Sequence, residues 1–200
     1  PEGSEREFEG NERISSERVR EESRVMAEER NEGGRYLGRY LHFAAHLGDV
    51  DATKMLFENG ADVNAVEKED LTALHCAARY GHVDVVKVLI QNGADVNAVD
   101  WNKFTALHFA AWGGHANVAK VLLQNDADVN AVDEEKQTAL HHAARGGHVD
   151  VAKVLLKNGA DVNAVTENKR TALHVVALKG RVDVVKVLLR NGADVNAVEK

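Results

Sequence analysis

The sequence predicts an all-α solenoid, a row of helix-turn-helix units with projecting turns, and three observations predict it. The tetrapeptide TALH begins at Thr72, Thr105, Thr138 and Thr171, 33 residues apart each time, and the same step recovers RYLH at Arg39. The hexapeptide ADVNAV recurs on the same period, with its asparagine at Asn64, Asn97, Asn130, Asn163 and Asn196. Between these marks lie two short apolar runs at helical spacing, each below the ~12–15 residues at which an isolated helix holds in water, so stability must come from stacking. The units are 39–71, 72–104, 105–137, 138–170 and 171–200, and residues 1–38 form a separate tail.

Each unit parses by local chemistry. Thr72, Thr105, Thr138 and Thr171 are N-cap residues, whose hydroxyls accept a backbone N–H at the start of an inner helix of about two turns. Gly48, Gly81, Gly114, Gly147 and Gly180 stop that helix. An outer helix follows; in VDVVKVLIQN the side chains of Val85, Val86, Leu89 and Ile90 form one apolar face. Asn92-Gly93 ends it, with glycine in the left-handed C′ position. ADVNAV and the charged residues after it read as a projecting turn, whose Asx side chains bond their own backbone. The small pairs Ala77-Ala78, Ala110-Ala111 and Ala143-Ala144 let neighbouring inner helices approach closely.

The tail differs in composition. Residues 1–35 hold 11 Glu and 7 Arg, a net −4 of the chain's −7, and Ile14, Val19, Val25 and Met26 are too few for a wide apolar stripe. A solvated helix or disorder is expected there, with a helix capping the repeats as the alternative, and Gly33-Gly34 as the hinge.

Composition excludes several classes. With 44% hydrophobic and 28% charged residues the 200-residue chain can bury a core. It has no apolar run of transmembrane length and no signal-peptide pattern, so no membrane insertion and a cytoplasmic, or else nuclear, location are expected. One cysteine, Cys76, forms neither an intramolecular disulfide nor a cysteine metal cluster. The net negative charge, without a Lys/Arg run, disfavours nucleic acid.

The unit TALHxAAxxGHxDVVKVLLxNGADVNA resembles the ankyrin repeat, over essentially all of residues 39–200. The resemblance implies an antiparallel helix pair with a β-hairpin finger at right angles, a concave face of fingers and inner helices, and protein binding through that face. The sequence departs from the pattern in places. Ala73, Ala106, Ala139 and Ala172 replace the usual proline of TPLH, and the helix should survive the change. Asp70, Lys103, Lys136 and Lys169 stand where the finger usually carries glycine, so the turn is differently shaped or holds Asn102 and Asn168 left-handed. Asp126 replaces the glycine of NGAD, at a cost on the order of 1 kcal/mol if the left-handed cap is kept.

No catalytic constellation emerges. Every serine (Ser4, Ser15, Ser16, Ser23) lies in the tail, and neither GxxxxGK[ST] nor GxGxxG occurs. Cys76 shares its slot with Phe43, Phe109, His142 and Val175 and reads as a packing residue. The histidine rows His75, His108, His141, His174 and His82, His115, His148 sit a helix-packing distance of about 8–10 Å apart. Zinc needs nitrogens about 2.0–2.1 Å from one centre, so the rows should bond backbone instead. No cofactor, metal or enzyme activity is expected.

Positions that vary from unit to unit while facing outward are the recognition candidates. One zone ends each inner helix: His46-Leu47, Arg79-Tyr80, Trp112-Gly113, Arg145-Gly146 and Leu178-Lys179. The other is the finger: Lys68 to Leu71, Trp101-Asn102-Lys103-Phe104, Glu134-Glu135-Lys136-Gln137 and Glu167-Asn168-Lys169-Arg170. Both tryptophans fall here, with Tyr80 and Phe104 in register, a composition typical of interface hot spots, although Phe104 and Trp112 could instead fill gaps between fingers.

The ankyrin resemblance also implies substrates of the asparaginyl hydroxylase that acts on a hypoxia-inducible transcription factor. The pairs Leu56/Asn64, Leu89/Asn97, Leu122/Asn130, Leu155/Asn163 and Leu188/Asn196 match its spacing. The fifth unit carries no polar substitution on its outer face, so residues 171–200 are expected to be the cut edge of a longer array or a self-association surface. The overall expectation is a non-catalytic scaffold for a protein or peptide. The alternatives are a targeting or regulatory segment of a larger enzyme, channel or receptor, and an engineered binder; irregular stretches such as HVVALKGR favour natural duplication.

Overall fold

A computed structural model describes residues 33–198, and the tail expectations for residues 1–32 lie outside them. Ten α-helices follow in pairs among the described residues: α1 (Gly33–Leu47) with α2 (Val50–Glu58), α3 (Ala73–Tyr80) with α4 (Val83–Gln91), α5 (Ala106–Gly113) with α6 (Ala116–Leu123), α7 (Ala139–Gly146) with α8 (Val149–Lys157), and α9 (Ala172–Lys179) with α10 (Val182–Arg190). Inner helices stack on inner helices and outer on outer, each unit touching its neighbours, which is a solenoid.

A hinge at Gly33-Gly34 would join the repeats to residues that lie outside the described ones. α1, described from Gly33 onward, runs unbroken past residue 38 and buries Leu37 and Leu41. Gly38 sits where α1 meets the first finger, and a Cβ there would come 2.9 Å from that of Ala65.

The helix starts follow the threonine caps. Each Thr N–H donates to Nδ1 of the histidine three residues on, at 3.0 to 3.2 Å. In α3, α5 and α9 the threonine Oγ1 accepts the histidine N–H in return, at 3.4 Å, closing a capping box. Alanine in place of proline does not shift the start. Gly81 ends α3 at φ +79°, and a Cβ there would lie 2.5 Å from Nδ1 of His115. Left-handed backbone and close packing both require glycine.

One continuous core runs the length of the stack. Leu74, Leu107 and Leu140 of the inner helices meet Leu89, Leu122 and Leu155 of the outer ones, with the alanine pairs fully buried between. Aligned apolar faces of this kind stabilise by roughly 25 cal/mol per Å² removed from water, which is what holds helices this short.

Polar ties repeat at fixed offsets. Nε2 of His82, His115 and His148 donates to the carbonyls of His46, Arg79 and Trp112, 36 residues earlier, at 2.9 to 3.0 Å. Asn64, Asn97, Asn130 and Asn163 each clamp the next unit twice: Nδ2 donates to the carbonyl 29 residues on, and Oδ1 accepts the N–H 31 residues on.

Candidate functional site

The fingers are tight turns carrying only the isolated antiparallel bridges Val66–Thr72 and Val132–Thr138 among the described residues. A backbone bond spans each, Glu67 N–H to Leu71, Asp100 to Phe104, Asp133 to Gln137 and Thr166 to Arg170, at 2.9 to 3.0 Å, and in the last three the N–H of Lys103, Lys136 and Lys169 also donates to the carbonyl of Asp100, Asp133 and Thr166. Neighbouring fingers are joined by single bonds, from the N–H of Trp101, Glu134 and Glu167 to the carbonyls of Glu69, Asn102 and Glu135.

Lysine itself takes the strained place in the turn. Lys103, Lys136 and Lys169 adopt φ of 60°, 57° and 56°, as does Asp70 at 57°, whereas Asn102 and Asn168 stay out of the left-handed region. At Lys103 and Lys136 the cause is the Asp three residues earlier: Oδ1 of Asp100 accepts the N–H groups of Asn102 and Phe104, and Oδ1 of Asp133 those of Glu135 and Gln137, at 2.8 to 3.0 Å, while at Lys169 Thr166 Oγ1 accepts the Arg170 N–H at 3.2 Å. Those bonds fix the loop around the residue between them. They offset a left-handed penalty of roughly 1–2 kcal/mol. Asp126 likewise keeps its cap at φ +64°.

Three aromatic side chains of the face are open to solvent, Trp101 at 56%, Trp112 at 48% and Tyr80 at 44%. The Arg79 guanidinium lies 5.3 Å from the Trp112 ring and 5.8 Å from the Tyr80 ring, within cation–π range, and His46 packs edge-on against Tyr80 at 4.3 Å. Trp101 stands apart from this stack on its finger. Phe104 turns inward, with ring centroids 5.4 Å from Phe109 and 4.9 Å from His142, and so fills the space between units. Lys103, Glu134, Glu135, Lys169 and Arg170 line the exposed finger tips, with Asn102 half-buried among them, and Arg145, Leu178 and Lys179 end their inner helices in solvent.

The histidines spend their ring nitrogens on the scaffold. Nε2 of His75, His108 and His141 donates to the carbonyls of Ala98, Gln137 and Arg170, at 2.9 to 3.2 Å. Burial holds His75 and His108 neutral, with pKa values down to about 4, and lowers His141 as well. Cys76 packs against the core, and burial pushes its thiol up to about 12, far from a reactive thiolate. Among the described residues no three His, Cys, Asp or Glu gather where they could hold a metal ion.

Reading the sequence missed one pair. His142 Nε2 lies 2.9 Å from Asp133 Oδ2, both side chains buried. Burial opposes ionisation of Asp133, but its hydrogen bonds to His142 and to backbone outweigh that, and its pKa is lowered. The available signal was a polar His142 in a slot that holds Phe, Cys or Val in the other units.

A family model for ankyrin repeats, described as three copies, matches residues 41–133 and 126–199. The chain belongs to the ankyrin repeat family, whose members are generally protein–protein interaction modules and typically non-catalytic. No curated protein matches the chain. No described helix is long and apolar enough to cross a membrane.

Proposed function

We propose that this chain is a non-catalytic scaffold that binds a protein or peptide on the concave face made by the fingers and the ends of the inner helices. The observation that carries the reading is the exposed set Tyr80, Trp101 and Trp112, with Arg79 held between two of the rings. Solvent-facing tryptophan, tyrosine and arginine in one zone are the residue types that dominate binding energy at interfaces. The contact surface extends over Asn102, Lys103, Glu134, Glu135, Arg145, Lys169, Arg170, Leu178 and Lys179, with Phe104 supporting it from beneath. Affinity capture with the wild-type chain against a Trp101→Ala/Trp112→Ala variant tests it. Partners should be lost with the variant, and equal recovery of every partner overturns the site.

Two further readings accompany this one. The fifth unit leaves Ala177 exposed, where Ala78, Ala111 and Ala144 are fully buried, and exposes Val182 and Leu189. That edge supports self-association, which light scattering over a concentration series tests; a monomer at every concentration removes it. Hydroxylation of Asn64, Asn97, Asn130, Asn163 or Asn196 rests on the family spacing. All five asparagines are exposed. Intact mass after incubation with the asparaginyl hydroxylase decides it, and an unchanged mass sinks it.

A further inference from the structure

We propose that the C-terminal half of the finger face holds a cationic pocket for an acidic side chain flanked by an apolar one, in an extended segment of a protein partner. This deepens the reading of the face as a binding surface and rests on it. A cleft of about 470 Å³ opens between the fourth finger and α9, lined by Arg145, Arg170, Lys179, Glu135, Val175 and Leu178. Three cations stand there against one carboxylate, in a chain whose formal charge is −7.

Arg145 and Glu135 of the cleft are not spent on each other. Arg145 donates to the amide oxygen of Gln137, and the amide nitrogen of Gln137 donates to Glu135 at 2.6 Å. The neutral amide thus steadies the guanidinium and occupies the carboxylate without cancelling the positive charge. Lys179 forms no ion pair among the described residues. The outer-helix lysines Lys87, Lys153 and Lys186, by contrast, each meet an aspartate three residues earlier at 3.1 Å.

Leu178 supplies the apolar half. At 70% it is the most exposed large apolar side chain among the described residues. Its counterparts in the other units are engaged: His46 against Tyr80, Arg79 over Trp112, and Arg145 on Gln137. A carboxylate between Arg145 and Lys179, with a neighbouring leucine or phenylalanine on Leu178, would satisfy both halves, and guanidinium and ammonium groups favour carboxylate in charge-assisted hydrogen bonds.

The test pans a random dodecapeptide display library against the full chain and resynthesises recovered sequences as acetylated, amidated, fluorescein-labelled peptides. The expected peptides carry Asp or Glu beside Leu, Ile or Phe. Their affinity should fall about tenfold with Lys179→Glu, or with Gln replacing the peptide's acid, and should weaken with added salt. Lys179 is exposed and makes no ion pair among the described residues, so its variant folds; a circular dichroism melt confirms this, and Arg145→Gln serves as the second variant. Peptides that lose binding with Trp101→Ala/Trp112→Ala yet carry no acids, or ignore both cleft variants, overturn the pocket and leave the face standing. A selection that recovers no specific peptide overturns both.

Discussion

Acidification should unfasten the middle of the stack before its carboxylates titrate. In the fold, Nδ1 of His75 and His108 accepts a threonine N–H while Nε2–H donates to a carbonyl, which only the neutral ring can do. Burial lowers both pKa values from 6.5 to about 4. The unfolded chain therefore takes up these protons first. Stability is complete above about pH 6.5, falls as pH drops toward about 4, and levels off below. A shift of 2.5 units corresponds to roughly 3 kcal/mol per histidine at the acid limit and about 2 kcal/mol each at pH 5. The pair thus accounts for about 4 kcal/mol against a total stability typically of 5–15 kcal/mol. Urea unfolding followed by far-UV circular dichroism at pH 7.5, 6.5, 5.5 and 5.0 reads the loss, and hydrogen exchange should quicken first in α3 and α5. Asp133, with its lowered pKa, loses stabilising charge only below the usual carboxylate range, so stopping at pH 5 excludes it. A midpoint that does not move between pH 7.5 and 5, or Cε1–H resonances of His75 and His108 titrating near 6.5 in the folded chain, would refute the reasoning.

Asp126→Gly should raise stability by about 1 kcal/mol in urea, since it relieves a left-handed non-glycine residue while keeping the cap. Asp133→Ala should cost more than Asp100→Ala by about 1–2 kcal/mol, because both lose the same turn bonds but only Asp133 also leaves a buried histidine without its acceptor; equal losses would deny the pair any weight. Asn130→Ala removes two bonds to the next unit and should cost about 1 kcal/mol, whereas Asn196→Ala should stay within about 0.5 kcal/mol in the same melts.

The repeat was legible because each unit writes its caps, stops and apolar faces within 33 residues and then writes them again. Thr72 and Gly81 announce the ends of α3 from sequence alone, and both do so in the structure. What failed depended on groups the period does not join. The finger turn was read through residue preference, which favours Asn102 over Lys103 at positive φ, but bonds from the Asp100 side chain outweigh that preference. The period places Leu37 before the first unit, yet it buries against the stack beside Leu41, on the same helix. The Asp133–His142 contact pairs the third finger with the inner helix of the next unit, α7, a relation that spacing cannot disclose. The exposed aromatic zone was foreseen from variation between units, but not that Arg79 sits between Tyr80 and Trp112 while Trp101 stands apart, because slot number says nothing about side-chain direction.

The asparagine clamps have a consequence for how such a chain lengthens. Each reaches a carbonyl 29 residues away and an amide 31 residues away, and each histidine tie looks back 36, so every join is addressed by offset rather than by identity. Unequal recombination that inserts or deletes one whole 33-residue period preserves all of these addresses. A gene built this way can change its count in a single step, with the new seam bonded like the old ones.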